Sequence, residues 1–456
     1  MIRSLSEYYR VPEELTVGVS APDLSGPAGF FSFGPRLVCY GQCESGVSPT
    51  VGGIARHDAS PGASGSNSKF HLPFDPQQVI DNLRRERYEE SLVPQKERFV
   101  SQTWVRNLYY FVRELLPVSV RRYLQRAYFR DWKSRPFPAW PVDFTVDDLH
   151  AELLRLAMEA SGLKRMPFIW FWPQGAPSCL IMTHDVETFE GRDFTSTLMD
   201  LDDSYGIKAS FQVIPEKRYE VPDEYVRQIK SRRFEFNIHD LNHDGQLYRD
   251  RQEFLRRAKA INAYACKYNA SGFRAGAMYR NLDWYDSLDF SYDMSVPNVA
   301  HLEPKRGGCC TVMPFFIGKI LELPLTAAQD YSLFHILNDY SIELWKKQID
   351  MIHGRNGLIS FIAHPDYLIE RRARKVYESL LGYLRQQIQR EKIWAALPGE
   401  VAAWWRVRSQ MKLVQKDGRW MIEGPGNERA QVAYAVLDNG RVVYEIAGGT
   451  LKVDRP

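Results

Sequence analysis

The central part of this chain predicts an α/β fold, a distorted (β/α) barrel of about seven strands, on three observations. From about residue 177 to residue 410, short apolar runs alternate with longer stretches whose apolar residues recur at helical spacing. Runs in this region end in a polar group, at Asp185, His239, Arg274 and His364, as barrel enzymes carry their working residues at strand ends. No glycine-rich dinucleotide fingerprint follows any run, so the alternative, an open doubly wound sheet, lacks its usual chemistry.

In chain order, residues 1–72 mix β-like runs such as Leu37-Val38-Cys39-Tyr40 with a Gly/Ser/Pro-rich stretch over 44–69, read as a flexible loop. Residues 73–174 form a helical, basic and aromatic region. One helix starts at Pro76, another covers 104–116 before Pro117, and a Pro-rich link follows at 135–141. The barrel occupies 175–410, with strands at 179–183, 209–214, 234–238, 272–274, 291–294, 320–323 and 358–363. Helical spacing places helices at 195–205, 223–230, 250–268, 341–353 and 371–389. Residues 411–456 alternate in β fashion around Asp417-Gly418 and Asn439-Gly440, both hairpin signals, and read as a small appended β module.

Composition is that of an ordinary globular protein: 44% of the residues are hydrophobic, enough for a large core. A formal net charge of +3 over 456 residues argues against nucleic acid as a partner. The six cysteines include no C-x-x-C pair, as expected in a reducing compartment, and Cys309-Cys310 reads as two thiols in a loop. The first residues lack an apolar signal core and no run of about 18 apolar residues occurs, so the expected location is cytoplasmic. Residues 101–135 interleave arginines such as Arg106, Arg113 and Arg126 with Trp104, Tyr109 and Trp132. Such a stretch either packs its aromatic face on the domain, the favoured reading, or makes peripheral contact with an anionic inner membrane.

Two motifs carry the chemistry. Thr183-His184-Asp185-Val186-Glu187 ends one run, and His239-Asp240-Leu241-Asn242-His243 ends another. Together they offer two carboxylates and two imidazoles at the ends, the donor set of a hydrolytic metal site. Each residue alone has an ordinary explanation: Arg274 as a surface arginine, His364 as a core histidine. The recurrence at strand ends favours function. His184 should point away from Asp185 on an extended strand, Asp240 reads as structural, and Trp404-Trp405 as core.

These motifs resemble those of the polysaccharide deacetylases, carbohydrate esterase family four, over roughly residues 175–400. On that resemblance, whose fold is a distorted (β/α) barrel, Asp185-Val186-Glu187 is similar to the Asp-Val-Asp form of the first motif. It makes Asp185 the base and Glu187 a metal ligand, with His239 and His243 as the imidazole ligands. Gly272-Phe273-Arg274 and the strand ending in His364 look like the arginine motif and the last motif. Glu187 stands where aspartate is usual, Asp240 where a small hydroxyl residue is, and Arg274-Ala275-Gly276-Ala277 lacks the usual proline and tyrosine.

Physically, three ligands leave a divalent ion one open position, and zinc is the default for this set, with cobalt, nickel or iron also compatible. Asp185 would accept the water proton while Arg274 keeps it ionised, and His364 would protonate the leaving amine. Asp293 is a candidate partner for His364, with a helix cap as the equal alternative. The expected function is removal of an N-acetyl, or less readily an O-acetyl, group from a glycan or lipid-linked glycan precursor. The alternatives are a related barrel amidohydrolase acting on a non-sugar C–N bond, and a glycan-binding module without turnover.

Overall fold

The computed structural model describes residues 3–15, 18–66, 69–92, 120 and 126–447; the helix expected over 104–116 lies outside them, as does most of 101–125. Nine strands form one sheet: β1 (Cys179–Val186), β2 (Ala209–Val213), β3 (Glu235–His239), β4 (Gly272–Arg274), β5 (Tyr292–Asp293), β6 (Phe315–Ile317), β7 (Ile320–Glu322), β8 (Leu358–Ile362) and β9 (Trp394–Ala395). Their order is β6-β7-β5-β4-β3-β2-β1-β8, with β9 beside the start of β1. All pairings are parallel except that of β6 with β7.

This is a curled, distorted (β/α) barrel, and its seven mutually parallel main strands are those the alternating pattern predicts. β6 and β9 are additions. They are three and two residues long. β7 and β8 do not pair, and residues 325–327 span the gap. Ala327 N–H donates to Ser360 O (3.1 Å), while Thr326 Oγ1 donates to Leu358 O (2.8 Å) and accepts from Ser360 N–H (2.9 Å).

Strand periodicity sorts the side chains. In β1, Leu180, Met182 and Val186 join the apolar layer under the helices, whereas Cys179 and Ile181 pack into the other core cluster, inside the barrel. Thr183 and Asp185 continue the inner row. In β8, Ile359 and Phe361 face the helices and Leu358 the interior. The helices that cover the outer face include Phe189–Tyr205, Asp223–Ser231, Arg251–Tyr268, Glu343–His353 and Arg371–Glu391. The first starts earlier than helical spacing alone suggests, because Thr188 accepts from Gly191 N–H as its N-cap; it stops at Gly206, whose φ of +72° suits glycine.

The other core cluster joins both ends of the described chain to the barrel interior. Arg165–Ile169 pairs with Val432–Asp438, which pairs with Arg441–Ile446, all antiparallel. The hairpin turns are as expected: Asp417 and Gly418, then Asn439 and Gly440, all have positive φ. Within the Gly/Ser/Pro-rich stretch, Ser48 and Phe30 exchange two backbone hydrogen bonds of 2.7 Å, and Ser64–Ser66 pairs with Lys69–His71, so part of it is fixed by the ladder. Trp404 and Trp405 are core residues, and Cys309 and Cys310 are buried free thiols. No helix among the described residues is long and apolar enough to cross a membrane.

Candidate metal centre

Asp185 and Glu187 share the inner row of β1 and its extension, and His239 ends β3, where the ladder places its neighbour Arg274 at the end of β4. His364 follows β8, which lies on the other side of β1. The parallel register therefore brings together all six residues singled out in the sequence. His243 reaches the group because the turn after β3 bends sharply: Asp240 and His243 both have left-handed backbones, with φ of 56° and 53°. Asp240 supports that turn by accepting from Leu241 N–H (2.6 Å).

Glu187, His239 and His243 each offer a ligand atom within 4.8 Å of the others, an arrangement suited to a metal ion. His239 Nδ1 lies 3.2 Å from Arg274 O, which fixes an Nδ1–H tautomer and leaves Nε2 as a bare lone pair. Glu187 Oε1 sits 3.8 Å from that Nε2 and 3.0 Å from His243 Nε2. Both Nε2 atoms are buried without a hydrogen bond, and with the carboxylate they converge on a common point. Two buried imidazole Nε2 atoms without a hydrogen bond, converging with a carboxylate, fit a divalent cation. The extra methylene of Glu187 relative to aspartate gives it the reach to meet both rings.

Asp185 completes the anionic side. Arg274, fully buried, donates from Nη1 to Asp185 Oδ1 (2.8 Å) and to Thr183 Oγ1 (2.8 Å), and from Nε to Met294 O (3.0 Å). Asp185 Oδ2 faces His239 Nε2 at 3.8 Å. Burial opposes ionisation of Asp185, but Arg274, His239 and His364 hold its carboxyl below the usual range. Glu187 is likewise held well below: burial opposes its ionisation, and His243, His239 and His364 outweigh it.

His364 presents Nε2 toward the same point, 3.7 Å from Glu187 Oε1. Its partner is Asp330, not Asp293: Asp330 Oδ1 lies 2.6 Å from His364 Nδ1, and Oδ2 accepts from the His364 backbone N–H at 2.7 Å. Asp293 instead accepts from Tyr285 OH (3.0 Å) and from Ser295 N–H and Oγ. Burial favours the neutral ring of His364, but Asp330, then Glu187 and Asp185, push it up to about 10. Asp330 was missed because it follows the irregular 325–329 segment, which has no strand signal; its place after the apolar Leu323-Pro324-Leu325 run is the one cue the sequence holds.

His184 points outward, as period two demands. Its ring lies between Ala363 O (2.9 Å) and Asp202 Oδ2 (3.0 Å), and Asp202 also accepts from Tyr377 OH (2.7 Å). It fastens β1 to the helical layer directly behind the site.

No family model matches the chain, and no curated protein does. Among solved structures, the chain is similar to a protein of Mycobacterium smegmatis assigned as a polysaccharide deacetylase (16% identity, 55% of this chain and 98% of that one, TM-score 0.43). It is also similar to the peptidoglycan deacetylase PdaC of Bacillus subtilis (13%, 50% and 93%, TM-score 0.33). A third similar structure is a CE4 family pseudoenzyme of Bacillus anthracis (11%, 49% and 65%, TM-score 0.32). A likeness of this order assigns no role to any residue.

Proposed function

We propose that this chain is a metal-dependent hydrolase that removes an N-acetyl group from a sugar of a glycan or glycan precursor, with zinc as the default ion. The observation that carries the hydrolytic reading is the pair of orphaned, buried Nε2 atoms of His239 and His243 converging with Glu187, beside a separate carboxylate paired to a buried arginine. The sugar acetamide rests on the likeness of the Asp185-Val186-Glu187, His239-to-His243 and Arg274 motifs to those of polysaccharide deacetylases.

Glu187, His239 and His243 would hold the ion, which when bound supplies Lewis acidity and brings the pKa of a water toward neutrality. Asp185 Oδ2 is then the proton acceptor. Arg274 occupies Oδ1, which leaves Oδ2 as the free basic atom and fixes its direction. His364 carries a proton at neutral pH because Asp330 stabilises the imidazolium, and its Nε2 faces the reaction point. The water oxygen bonds to the acetamide carbonyl carbon as Asp185 takes one of its protons, and the C–N bond then breaks as His364 delivers a proton to the departing nitrogen. The products are acetate and the free amine.

The test is metal content together with acetate release from a panel of acetylated glycans, for the wild type and for Asp185→Ala and His239→Ala. The proposal expects about one divalent ion per chain, lost in His239→Ala, and retained without acetate release in Asp185→Ala. Metal bound with no glycan turned over would move the assignment to a non-sugar amidohydrolase or a binding module. A wild type that binds no metal would sink the reading.

A further inference from the structure

We infer that Glu86, far from the barrel in sequence, is a positioning residue for the metal site: through Arg280 it holds the loop 276–280 against His243. The inference rests on the metal-site reading above and adds to it a role for the N-terminal third of the chain.

The loop follows β4 directly and its backbone passes the ligand turn at contact distance. A Cβ built on Gly276 would lie 2.9 Å from His243 Cδ2 and 2.5 Å from Asp240 Oδ2, so only glycine lets the two segments approach this closely. Past Gly276 the backbone turns through two non-glycine residues in the left-handed region, Ala277 (φ 52°) and Met278 (φ 54°). Such conformations are unfavourable for residues that carry a Cβ and persist only where the surroundings over-determine them.

Those surroundings come from the N-terminal region. Arg280 is buried and donates from Nη1 to Met278 O (2.6 Å), bracing the strained turn from behind. Its Nε donates to Glu86 Oε2 (2.6 Å) and its Nη2 to Glu86 Oε1. Glu86 itself is buried just past the helix Pro76–Arg84 and has a left-handed backbone, φ 57°. Lys305 closes the arrangement, donating to Arg280 O (2.8 Å) and pairing with Glu89 (3.3 Å). On the other side, Met278 packs with Leu325 and Ile362, the latter two residues before His364. A buried two-point ion pair between segments 194 residues apart therefore clamps a strained loop whose two flanks touch His243 and the His364 strand.

Removing one partner of a buried pair strands the other, so Glu86→Gln alone risks unfolding; Glu86→Leu with Arg280→Met removes both charges and is expected to fold. The measurement is zinc affinity by competition with a chromogenic chelator, on full-length protein below its unfolding transition, with hydrogen exchange of the peptide spanning 272–281. The double variant is expected to bind zinc about 10-fold or more weakly and to lose protection in that peptide. Arg408→Met, which weakens the fold elsewhere, should leave zinc affinity unchanged. A folded double variant with wild-type zinc affinity overturns the inference, whatever the exchange shows. Failure of the wild type to bind zinc is a different result and removes the site reading itself.

Discussion

Arg274, at the mouth of the barrel, and Arg408, where both ends of the described chain meet, are each sealed from solvent, yet they meet opposite surroundings. Arg274 meets one carbonyl, Met294 O, but also a hydroxyl and a carboxylate, and its charge holds Asp185 ionised and oriented. Arg408 faces carbonyl oxygens: Nε donates to Trp170 O (2.9 Å), and Nη2 to Ile169 O (2.7 Å) and Tyr8 O (2.9 Å). With dipoles for partners, burial and then the nearby Arg10 push Arg408 down to about 9. One arginine holds a carboxylate at the candidate metal site, whereas the other staples two segments of backbone, the helix Arg3–Tyr9 and the end of the strand Arg165–Ile169. Burial alone does not distinguish a working charge from a structural one; the identity of the acceptor does.

The sharpest way to break this contrast is Asp185→Asn. Loss of a general base lowers turnover by about 1,000-fold, and because Arg274 keeps an amide oxygen to bond, metal content and unfolding temperature should stay near wild type. Acetate release at near wild-type rate would remove Asp185 from the mechanism. Arg408→Met should do the reverse: it orphans three buried carbonyls, costing on the order of 3 kcal/mol, seen as a lower denaturant midpoint with kcat unchanged.

A third expectation tests the stapled region through pH. Asp147 accepts from Tyr8 OH (3.1 Å), Thr311 Oγ1 (2.6 Å) and Val312 N–H (3.0 Å). Burial outweighs these hydrogen bonds and pushes its carboxyl up to about 6. Because the folded state binds this proton more tightly than the unfolded chain, whose value is near 3.9, the contribution is fully present below about pH 4. It is lost as pH climbs through 6, a change of roughly 3 kcal/mol. Comparing denaturant midpoints of wild type and Asp147→Asn across that window isolates the effect, and a difference that grows in the opposite direction would refute it. The smallest effect should come from Arg165→Ala. Its guanidinium lies over the Tyr434 ring at 3.5 Å and pairs with Glu445 at 3.4 Å, but the side chain is 53% exposed, so the loss should stay under about 1 kcal/mol.

What the sequence reveals of this molecule follows the range of the interactions. Strand alternation in 179–186 places Asp185 and Glu187 on one face and His184 on the other, and the register of parallel strands then gathers residues whose only shared feature in the sequence is ending an apolar run. Asp330 escaped because the segment that carries it bridges a gap in the barrel with single hydrogen bonds and so has no periodicity to read. Glu86 and Arg280 escaped for another reason. Each looks like an ordinary surface charge until the fold buries them together, and no local pattern encodes a partner 194 residues away. The strand Arg165–Ile169 was likewise hidden, since its ladder partner lies in the far C-terminal hairpin.

That last pairing sets an order of events on the ribosome. Arg165–Ile169 takes its place beside Val432–Asp438, a segment made about 260 residues later, which at ordinary synthesis rates is a delay on the order of tens of seconds. Through that interval the nascent chain presents a strand edge, rich in Met166, Phe168 and Ile169, with nothing to pair against. Chains cut short before residue 432 keep that edge permanently. They should associate through it, and a chaperone that recognises extended apolar segments has its natural target there.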